Sequence, residues 1–507
     1  MPILENEEID IEELEDLDGQ LNSDDNANNN DVSKKTKRTI KDILKIVISN
    51  LCIILSGVLT SFVLPKMIGV EDYGNYKIFS LYCTYVDLLQ LGIMDGIYLY
   101  YGGKNYDELD KSKFRFYTKF FLVFQATITA IMALICFFLL KSDYRFIFLC
   151  LSLFIFACNI TYYFQIISQI TQRFTELAVR NFIKSLCMGL IIVFLFLMQK
   201  FANWDFDYKP YTLMRTGIFV LLMFWYLWTY KDLVIGKSAK WKDEKKNILH
   251  FLKIGAPLMI ANIATTLIMN IDSQFVSIVF DRETYAIYAF AYNMITVITM
   301  ATSAISTVIY PAMKRTTKDT LTKNFSFLIT IITIIMGASL LAYFIFAWFV
   351  NWKIDKYNDS LIIFRVVLPG LIASTATTAV MHNYYKVIGK NFIFFVLSLS
   401  VLGLSIVANI VAYLIFKNTI SLSIASIIVL TIWYISSMIY FIKKFKVKFI
   451  KNLLYMFLIM AGFYTATIFE ANYIFVGMAI YLAYFIFITL LLNLKEIKNI
   501  KLILFNK

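Results

Sequence analysis

The chain has 507 residues, of which 59% are hydrophobic and 16% charged, and its formal net charge is +13 at pH 7. This composition excludes an ordinary soluble domain, in which about 25% of the residues are charged. The excess of basic residues does not indicate nucleic-acid binding, because these residues flank long apolar stretches, where they match anionic lipid headgroups. The composition predicts a polytopic membrane protein in contact with membrane lipids and without a nucleic-acid partner.

The first segment, residues 1–33, is acidic and rich in asparagine, which predicts a disordered cytoplasmic tail. The alternative is a short amphipathic helix with apolar side chains at Ile11, Leu14, Leu17 and Leu21. About 14 apolar stretches follow, each long enough for a helix to cross a hydrocarbon core of about 30 Å. Such runs favour an all-α fold, because a helix satisfies its own backbone hydrogen bonds. The predicted spans are 46–68, 77–101, 116–140, 146–170, 182–200, 211–230, 250–273, 285–310, 325–350, 360–383, 392–415, 419–442, 450–470 and 473–494.

Basic residues alternate from loop to loop. Of the 48 Lys and Arg residues, about 36 lie in the N-terminal region, the even-numbered loops and the C-terminal end, and about 12 in or beside the odd-numbered loops. Because cytoplasmic loops are enriched in Lys and Arg, both termini are predicted to be cytoplasmic, in a multi-pass protein of the cytoplasmic (inner) membrane. The long loop 231–249 separates a six-span region at 40–230 from another at 250–442. Residues 443–507 add two further spans and a cytoplasmic end.

A faint internal repeat relates the two six-span regions. The motif GVEDYGNY at 69–76 recurs as DRETYAIY at 281–288, with a glutamate and two tyrosines in the same places. Each copy lies between the first and second spans of its region, so the two regions have the same orientation. This predicts two pseudo-symmetric six-helix lobes, related by an axis along the membrane normal, that face a central cavity.

The chain lacks the usual signatures of enzymes and cofactor sites. It contains no phosphate-binding loop and no dinucleotide-type glycine motif. Its two histidines, His250 and His382, have no cysteine or second histidine at ligand spacing, and the six cysteines lie within apolar spans. We therefore expect no catalytic residues, no metal site and no cofactor.

Polar side chains inside the spans are concentrated in the first, second, seventh and eighth. Such side chains cost roughly 2.5 to 3.5 kcal/mol at the centre of a bilayer, so they normally face a bundle interior or an aqueous cavity. The residues predicted to line a substrate cavity are Asn50, Ser61, Lys66, Asp87, Gln90, Asp95, Asn262, Asp272, Tyr288, Tyr292 and Thr299. Other interpretations remain open: carboxylates bound to neighbouring helices, hydroxyls that pack helices together, and a lysine at Lys66 that reaches the membrane surface.

Four basic residues near span ends are candidates for a pyrophosphate site, because guanidinium and ammonium groups replace the hydration of a phosphate with charge-assisted hydrogen bonds. Arg180 and Lys184 begin the fifth span, while Arg215 and Arg365 lie one turn inside the sixth and tenth. Each of them could instead be a topology determinant or a side chain that reaches the membrane surface.

Three stretches resemble bacterial polysaccharide-unit flippases of the O-antigen and capsule type. They are ILSGVLTSFVLPKMIGVEDYGNYKIFSLY at 54–82, the segment from IGAPLMIANI to VIYPAMKR at 254–315, and QRFTELAVRNFIK at 172–184. The resemblance covers residues 40–495 and implies membership of the superfamily of multidrug exporters, lipid II flippases and oligosaccharidyl-lipid flippases. It also implies that the last two spans are additions to a twelve-helix core whose two lobes rock around a central cavity.

The resemblance implies a flippase that moves polyprenyl-pyrophosphate-linked oligosaccharide units by alternating access, for the biosynthesis of lipopolysaccharide or another surface polysaccharide. A polysaccharide polymerase and a chain-length regulator are the further partners it implies. The residues around Asp95 and Gly96 do not follow the pattern of lipid II flippases, so a role in peptidoglycan synthesis is not expected. The alternatives are a cation-coupled multidrug exporter and a non-transporting scaffold of the glycan assembly machinery.

Overall fold

The computed structural model describes residue 52 and residues 55–314, 317–446, 450–468 and 473–505. These residues form helices joined by short loops, and no β-strand occurs among them. The predicted N-terminal tail, 1–33, and Asn50 lie outside the described residues.

Seventeen helices follow one another in the described part of the chain. They are α1 (Leu55–Met67), α2 (Val70–Cys83), α3 (Ile93–Tyr101), α4 (Lys111–Leu139), α5 (Ser142–Ile170), α6 (Phe174–Ala202), α7 (Tyr208–Thr229), α8 (Trp241–Val279), α9 (Arg282–Lys314), α10 (Lys318–Ser339), α11 (Ala342–Lys353), α12 (Ser360–Val367), α13 (Gly370–Val387), α14 (Asn391–Phe416), α15 (Thr419–Phe445), α16 (Ile450–Ile468) and α17 (Ile474–Phe505).

The predicted all-α membrane fold is confirmed, but the predicted number of spans is only partly reproduced. Among the described residues, ten helical segments are long and apolar enough to cross a membrane, and the pair α12 and α13, bent by 46°, could form an eleventh. Three predicted spans are not among these segments. The span 46–68 begins outside the described residues, the span 77–101 is broken, and the span 285–310 lies within α9, a continuous helix of 33 residues.

The sequence pattern predicts one continuous helix over 77–101, and this prediction is wrong. The helix α2 ends at Cys83, a short 3-10 turn follows, and the backbone has positive φ angles of 54° at Leu91 and 83° at Gly92 before α3 begins. Close approach to α8 accounts for the break. A Cβ at Gly92 would lie 2.5 Å from the amide nitrogen of Ala256, and one at Gly255 would lie 2.0 Å from the carbonyl oxygen of Gly92. Only glycine fits this contact.

The loop predicted over 231–249 is shorter than expected, because α8 begins at Trp241. Asp243 and Glu244 lie in its first turn, where negative charge stabilises a helix. Glu244 is buried and accepts hydrogen bonds from Tyr117 of α4 (2.5 Å) and from Asn247 (2.6 Å). The end of the predicted loop is therefore a helical extension held against α4.

Each of the two regions predicted to contain six spans is built around one deeply buried helix. In the first region α5 packs against α2, α4, α6 and α7, and in the second α15 packs against α12, α13 and α14. The regions meet where α2 packs against α9 and where α3 packs against α8. The C-terminal helices α16 and α17 pack against each other and against α10, at the side of the second region.

Candidate functional site

A cavity of about 420 Å³ lies between α1, α2, α6, α7, α8 and α9. Because three basic side chains line it, we call it the cationic chamber. Its principal lining residues are Ser56, Thr60, Ser61, Tyr73, Tyr76, Lys77, Ser80, Thr84, Lys184, Tyr211, Arg215, Asn270, Tyr292, Asn293 and Thr296. Both six-span regions contribute to the wall, so the chamber depends on their packing.

Helical spacing explains why polar residues of α2 face this chamber. Tyr73, Lys77 and Ser80 recur at intervals of three or four residues, which places them on one side of the helix. Arg215 follows Tyr211 by one turn of α7 in the same way.

None of the three basic side chains has an acidic hydrogen-bond partner among the described residues. The Lys77 ammonium donates a hydrogen bond to Asn293 Oδ1 at 2.8 Å. Arg215 donates to the hydroxyl of Tyr76 at 2.9 Å, and Lys184 Nζ lies 5.6 Å from the centre of the Phe219 ring. Within the described part of the chain, none of the three forms an ion pair with a carboxylate. The chamber therefore concentrates positive charge that no carboxylate of the described residues neutralises by an ion pair.

A second cavity, of about 200 Å³, adjoins the first. It is lined by carboxylate and amide side chains, and we call it the acidic-amide chamber. Its polar lining residues are Thr84, Asp87, Gln90, Asp95, Tyr162, Gln165, Gln169, Asn262 and Thr266. Thr84 lines both chambers, so its side chain marks their boundary.

The wall formed by the broken second span is held by one glutamine. The Gln90 amide donates to Asp95 Oδ2 at 2.6 Å, and its oxygen accepts from the backbone N–H of Met94 at 2.9 Å. Gln90 is buried, whereas Asp87 is exposed to the cavity. The turn at Leu91 and Gly92 thus fixes the positions of both carboxylates.

A buried carboxylate lies directly behind the cationic chamber. Asp272 of α8 accepts hydrogen bonds from Tyr288 at 2.9 Å, from Ser426 of α15 at 2.7 Å and from Tyr292, which itself lines the chamber. Asp272 and Tyr288 were predicted to line the cavity, and the structure places them in this hydrogen-bond cluster at its wall. The cluster connects α8, α9 and α15.

Eight of the other predicted residues line one of the two chambers. Ser61, Tyr292, Lys184 and Arg215 line the cationic chamber. The predicted residues that line the acidic-amide chamber are Asp87, Gln90, Asp95 and Asn262. Their convergence supports the predicted cavity without testing their roles.

Four predicted residues are not among the lining residues of either chamber. Lys66 is exposed near the end of α1, and the Thr299 hydroxyl donates to the Thr296 carbonyl within α9. The Arg180 guanidinium donates to Thr229 at 2.9 Å and pairs with Glu176 at 3.5 Å. Arg365 lines a separate cavity of about 800 Å³, together with Trp348, Asn351 and Tyr473.

Sequence reasoning missed Lys77, Asn293 and the glutamines of α5. Lys77 is the first residue of the predicted second span, 77–101, where basic residues are common in any membrane protein. Its spacing of four residues from Tyr73 is the signal that could have found it. Nothing in the sequence near Asn293 indicates its bond to Lys77, because the two residues lie in different six-span regions.

Close contacts join α2, α5 and α9 near the end of the cationic chamber that is predicted to be external. Arg282, in the first turn of α9, pairs with Asp143 of α5 at 3.0 Å and with Glu71 of α2 at 3.4 Å. A Cβ at Gly74 would lie 2.2 Å from the Arg282 carbonyl oxygen, so α2 and α9 touch backbone to backbone. The Thr284 N–H donates to Asp281 and lowers the pKa of that carboxyl, which stabilises the start of α9.

Several solved structures share this fold. The lipid II flippase MurJ, in its inward closed conformation, aligns with a TM-score of 0.67 at 13% identity, over 89% of this chain and 98% of that chain. An inward-facing multidrug resistance MATE family transporter of the MOP superfamily aligns with a TM-score of 0.58 at 15% identity, over 79% and 94%. A Vibrio cholerae MATE transporter aligns with a TM-score of 0.51 at 12% identity, over 82% and 98%. A search of curated protein sequences gives no match.

The likeness to these structures shows the fold alone, because each of them is less than 25% identical to this chain. The polysaccharide biosynthesis protein family matches residues 39–317, more than half of the chain. The chain belongs to this family. The resemblance found in the sequence is thereby confirmed.

Proposed function

We propose that the protein is a flippase for polyprenyl-pyrophosphate-linked oligosaccharides, which it moves from the cytoplasmic to the external leaflet by alternating access. The units would serve a surface polysaccharide such as O-antigen, other lipopolysaccharide chains or capsule. The protein would lie in the cytoplasmic membrane with both termini cytoplasmic. A polysaccharide polymerase and a chain-length regulator would act with it.

One observation carries this proposal. Lys77, Lys184 and Arg215 converge on one cavity inside the helical bundle, and no carboxylate of the described residues pairs with them. Charged groups at this depth are costly unless they meet a partner. A pyrophosphate supplies the missing charge and accepts several charge-assisted hydrogen bonds at once.

The surrounding surface suits the rest of such a cargo. Hydroxyl and amide groups from Ser61, Thr60 and Asn270 line the same chamber, where they replace water around polar groups that would otherwise be exposed to hydrocarbon. The lipid tail remains in the bilayer throughout. A cationic drug, in contrast, would be repelled by the three basic side chains, which disfavours the multidrug-exporter alternative.

Deletion of the gene tests the proposal. We expect loss of the surface polysaccharide, with lipid-linked oligosaccharide accumulating where an impermeant periodate or lectin cannot reach it in spheroplasts. Drug sensitivity should stay unchanged. Normal polysaccharide with raised drug sensitivity would support the exporter. If the double variant Lys184→Gln, Arg215→Gln restored the polysaccharide in the deletion strain, that result would support the non-transporting scaffold.

A further inference from the structure

The acidic-amide chamber differs in chemistry from the cationic chamber that it adjoins. It contains the carboxylates of Asp87 and Asp95 and the amides of Gln165, Gln169 and Asn262. None of the described residues that line it is basic. Thr84 lines both cavities. A single ligand at this boundary would meet basic side chains in the cationic chamber and carboxylate and amide side chains in the acidic-amide chamber.

Part of this polar surface has no protein partner. Among the described residues, the side chains of Asp87, Gln169 and Asn262 form no hydrogen bond, and Asp87 and Asn262 are exposed to the cavity. Polar groups in the interior of a helical bundle are normally satisfied by neighbouring helices. These three groups are instead available to a ligand.

Electrostatics decides which part of a pyrophosphate-linked sugar enters each chamber. The two carboxylates repel a pyrophosphate, which the adjoining basic residues attract. Sugar hydroxyls are neutral and act as both donors and acceptors. A carboxylate accepts from them, and an amide offers a donor and an acceptor side by side.

The wall of the chamber is preformed. The Gln90 bond to Asp95, at 2.6 Å, and the positive φ of 83° at Gly92 hold the broken second span in place against α8. A binding site gains affinity when its groups are already fixed, because less conformational freedom is lost on binding. The break in the second span therefore places Asp87 and Asp95 in the same cavity wall as the glutamines of α5.

We propose that the acidic-amide chamber binds the sugar next to the pyrophosphate, while the cationic chamber binds the pyrophosphate itself. This inference rests on the proposed flippase function and adds to it a division of the cargo between two chambers. The first sugar is bonded directly to the pyrophosphate, so the two subsites must adjoin, as they do at Thr84.

Binding measured by native mass spectrometry on the purified full-length protein tests the division. The two probes are undecaprenyl pyrophosphate, which carries no sugar, and the pool of lipid-linked glycans extracted from a strain that lacks the gene. Wild-type protein should bind the glycan-bearing pool more tightly. The double variant Gln169→Leu, Asn262→Leu should lower that preference about tenfold, because two hydrogen-bonding groups are lost. Its affinity for the sugar-free lipid should stay within about twofold of wild type.

A control variant and the pattern of binding distinguish failure of the proposed function from failure of the proposed division of the cargo. Asn351→Leu removes an exposed amide of α11 outside both chambers and should change neither affinity. Wild-type protein that binds neither lipid would refute the proposed function itself. Binding of both lipids with an unchanged preference in the double variant would overturn only the division of the cargo. Sodium binding that the double variant loses, with the sugar preference unchanged, would assign the chamber to a cation and also overturn the division.

Discussion

At the scale of single residues, charge that is not neutralised is the most informative feature of this protein. Several basic side chains elsewhere in the described chain pair with acids, as Arg282 does with Asp143 and Lys111 with Asp232. Lys77, Lys184 and Arg215 do not, and they are the basic side chains that line the cationic chamber. Their neutral partners leave each of them able to bind an anion without breaking an ion pair.

Arg215→Gln should lower the rate of glycan export about tenfold or more. The variant keeps a polar side chain but loses charge-assisted hydrogen bonds to the cargo, which contribute roughly 1.5 to 3 kcal/mol each. Export is measured as surface polysaccharide formed after the variant is induced in a deletion strain. Lys200→Gln removes an exposed charge from the end of α6 and serves as the control. Wild-type export by Arg215→Gln, at normal protein levels, would show that this guanidinium does not bind the cargo.

At the scale of helices, close backbone contacts join the two six-span regions at two places. At one, Gly74 of α2 meets the Arg282 carbonyl of α9, and at the other Gly92 and Gly96 meet the backbone of α8. Glycine permits such contacts because it has no Cβ. Contacts of this kind between two packed regions can form and separate as units.

Gly74→Ala should favour opening of the end predicted to be external. The added Cβ would lie 2.2 Å from the Arg282 carbonyl oxygen, so α2 and α9 must separate. We expect Thr60→Cys, in a cysteine-free protein, to react several times faster with an impermeant maleimide added outside cells when Gly74→Ala is present. Gly217→Ala is the control, because nothing lies within 4 Å of a Cβ there. An equal labelling rate in the two backgrounds would mean that this contact does not close the chamber.

At the scale of the whole molecule, loops rich in Lys and Arg alternate with loops poor in them, and this alternation predicts how the protein is oriented in the membrane. The fold by itself does not give that orientation. The segment before α8 should be cytoplasmic, and the segment between α6 and α7 should be external. Both contain exposed residues, Lys237 and Asp205, at which a cysteine can be introduced.

Lys237→Cys should be labelled by an impermeant maleimide only after cells are opened, and Asp205→Cys should be labelled in intact cells. The physical reason is that lysine- and arginine-rich loops are retained on the cytoplasmic side during insertion. Both variants are made in a cysteine-free background. Labelling of Lys237→Cys in intact cells would reverse the predicted topology. The contact between Gly74 and the Arg282 carbonyl would then lie at the cytoplasmic side.

The sequence by itself was enough to predict the helical membrane fold, most of the span positions and the family. Hydropathy and loop charge are local properties, and each long helix satisfies its own backbone hydrogen bonds wherever it packs. The same patterns identified polar side chains on the spans that line the two chambers, including Asp95 and Arg215. They could not separate these residues from Arg180 and Arg365, which have the same local appearance and lie elsewhere.

Only the tertiary structure decided where the second span breaks and how the polar residues divide between two chambers. The break depends on backbone contact between Gly92 and Gly255, which are far apart in the chain, and no local pattern of apolar residues encodes it. Lys77 likewise meets Asn293 only because α2 packs against α9. Helical spacing fixes which side chains share a face, but the neighbour that this face meets is set by packing between distant helices.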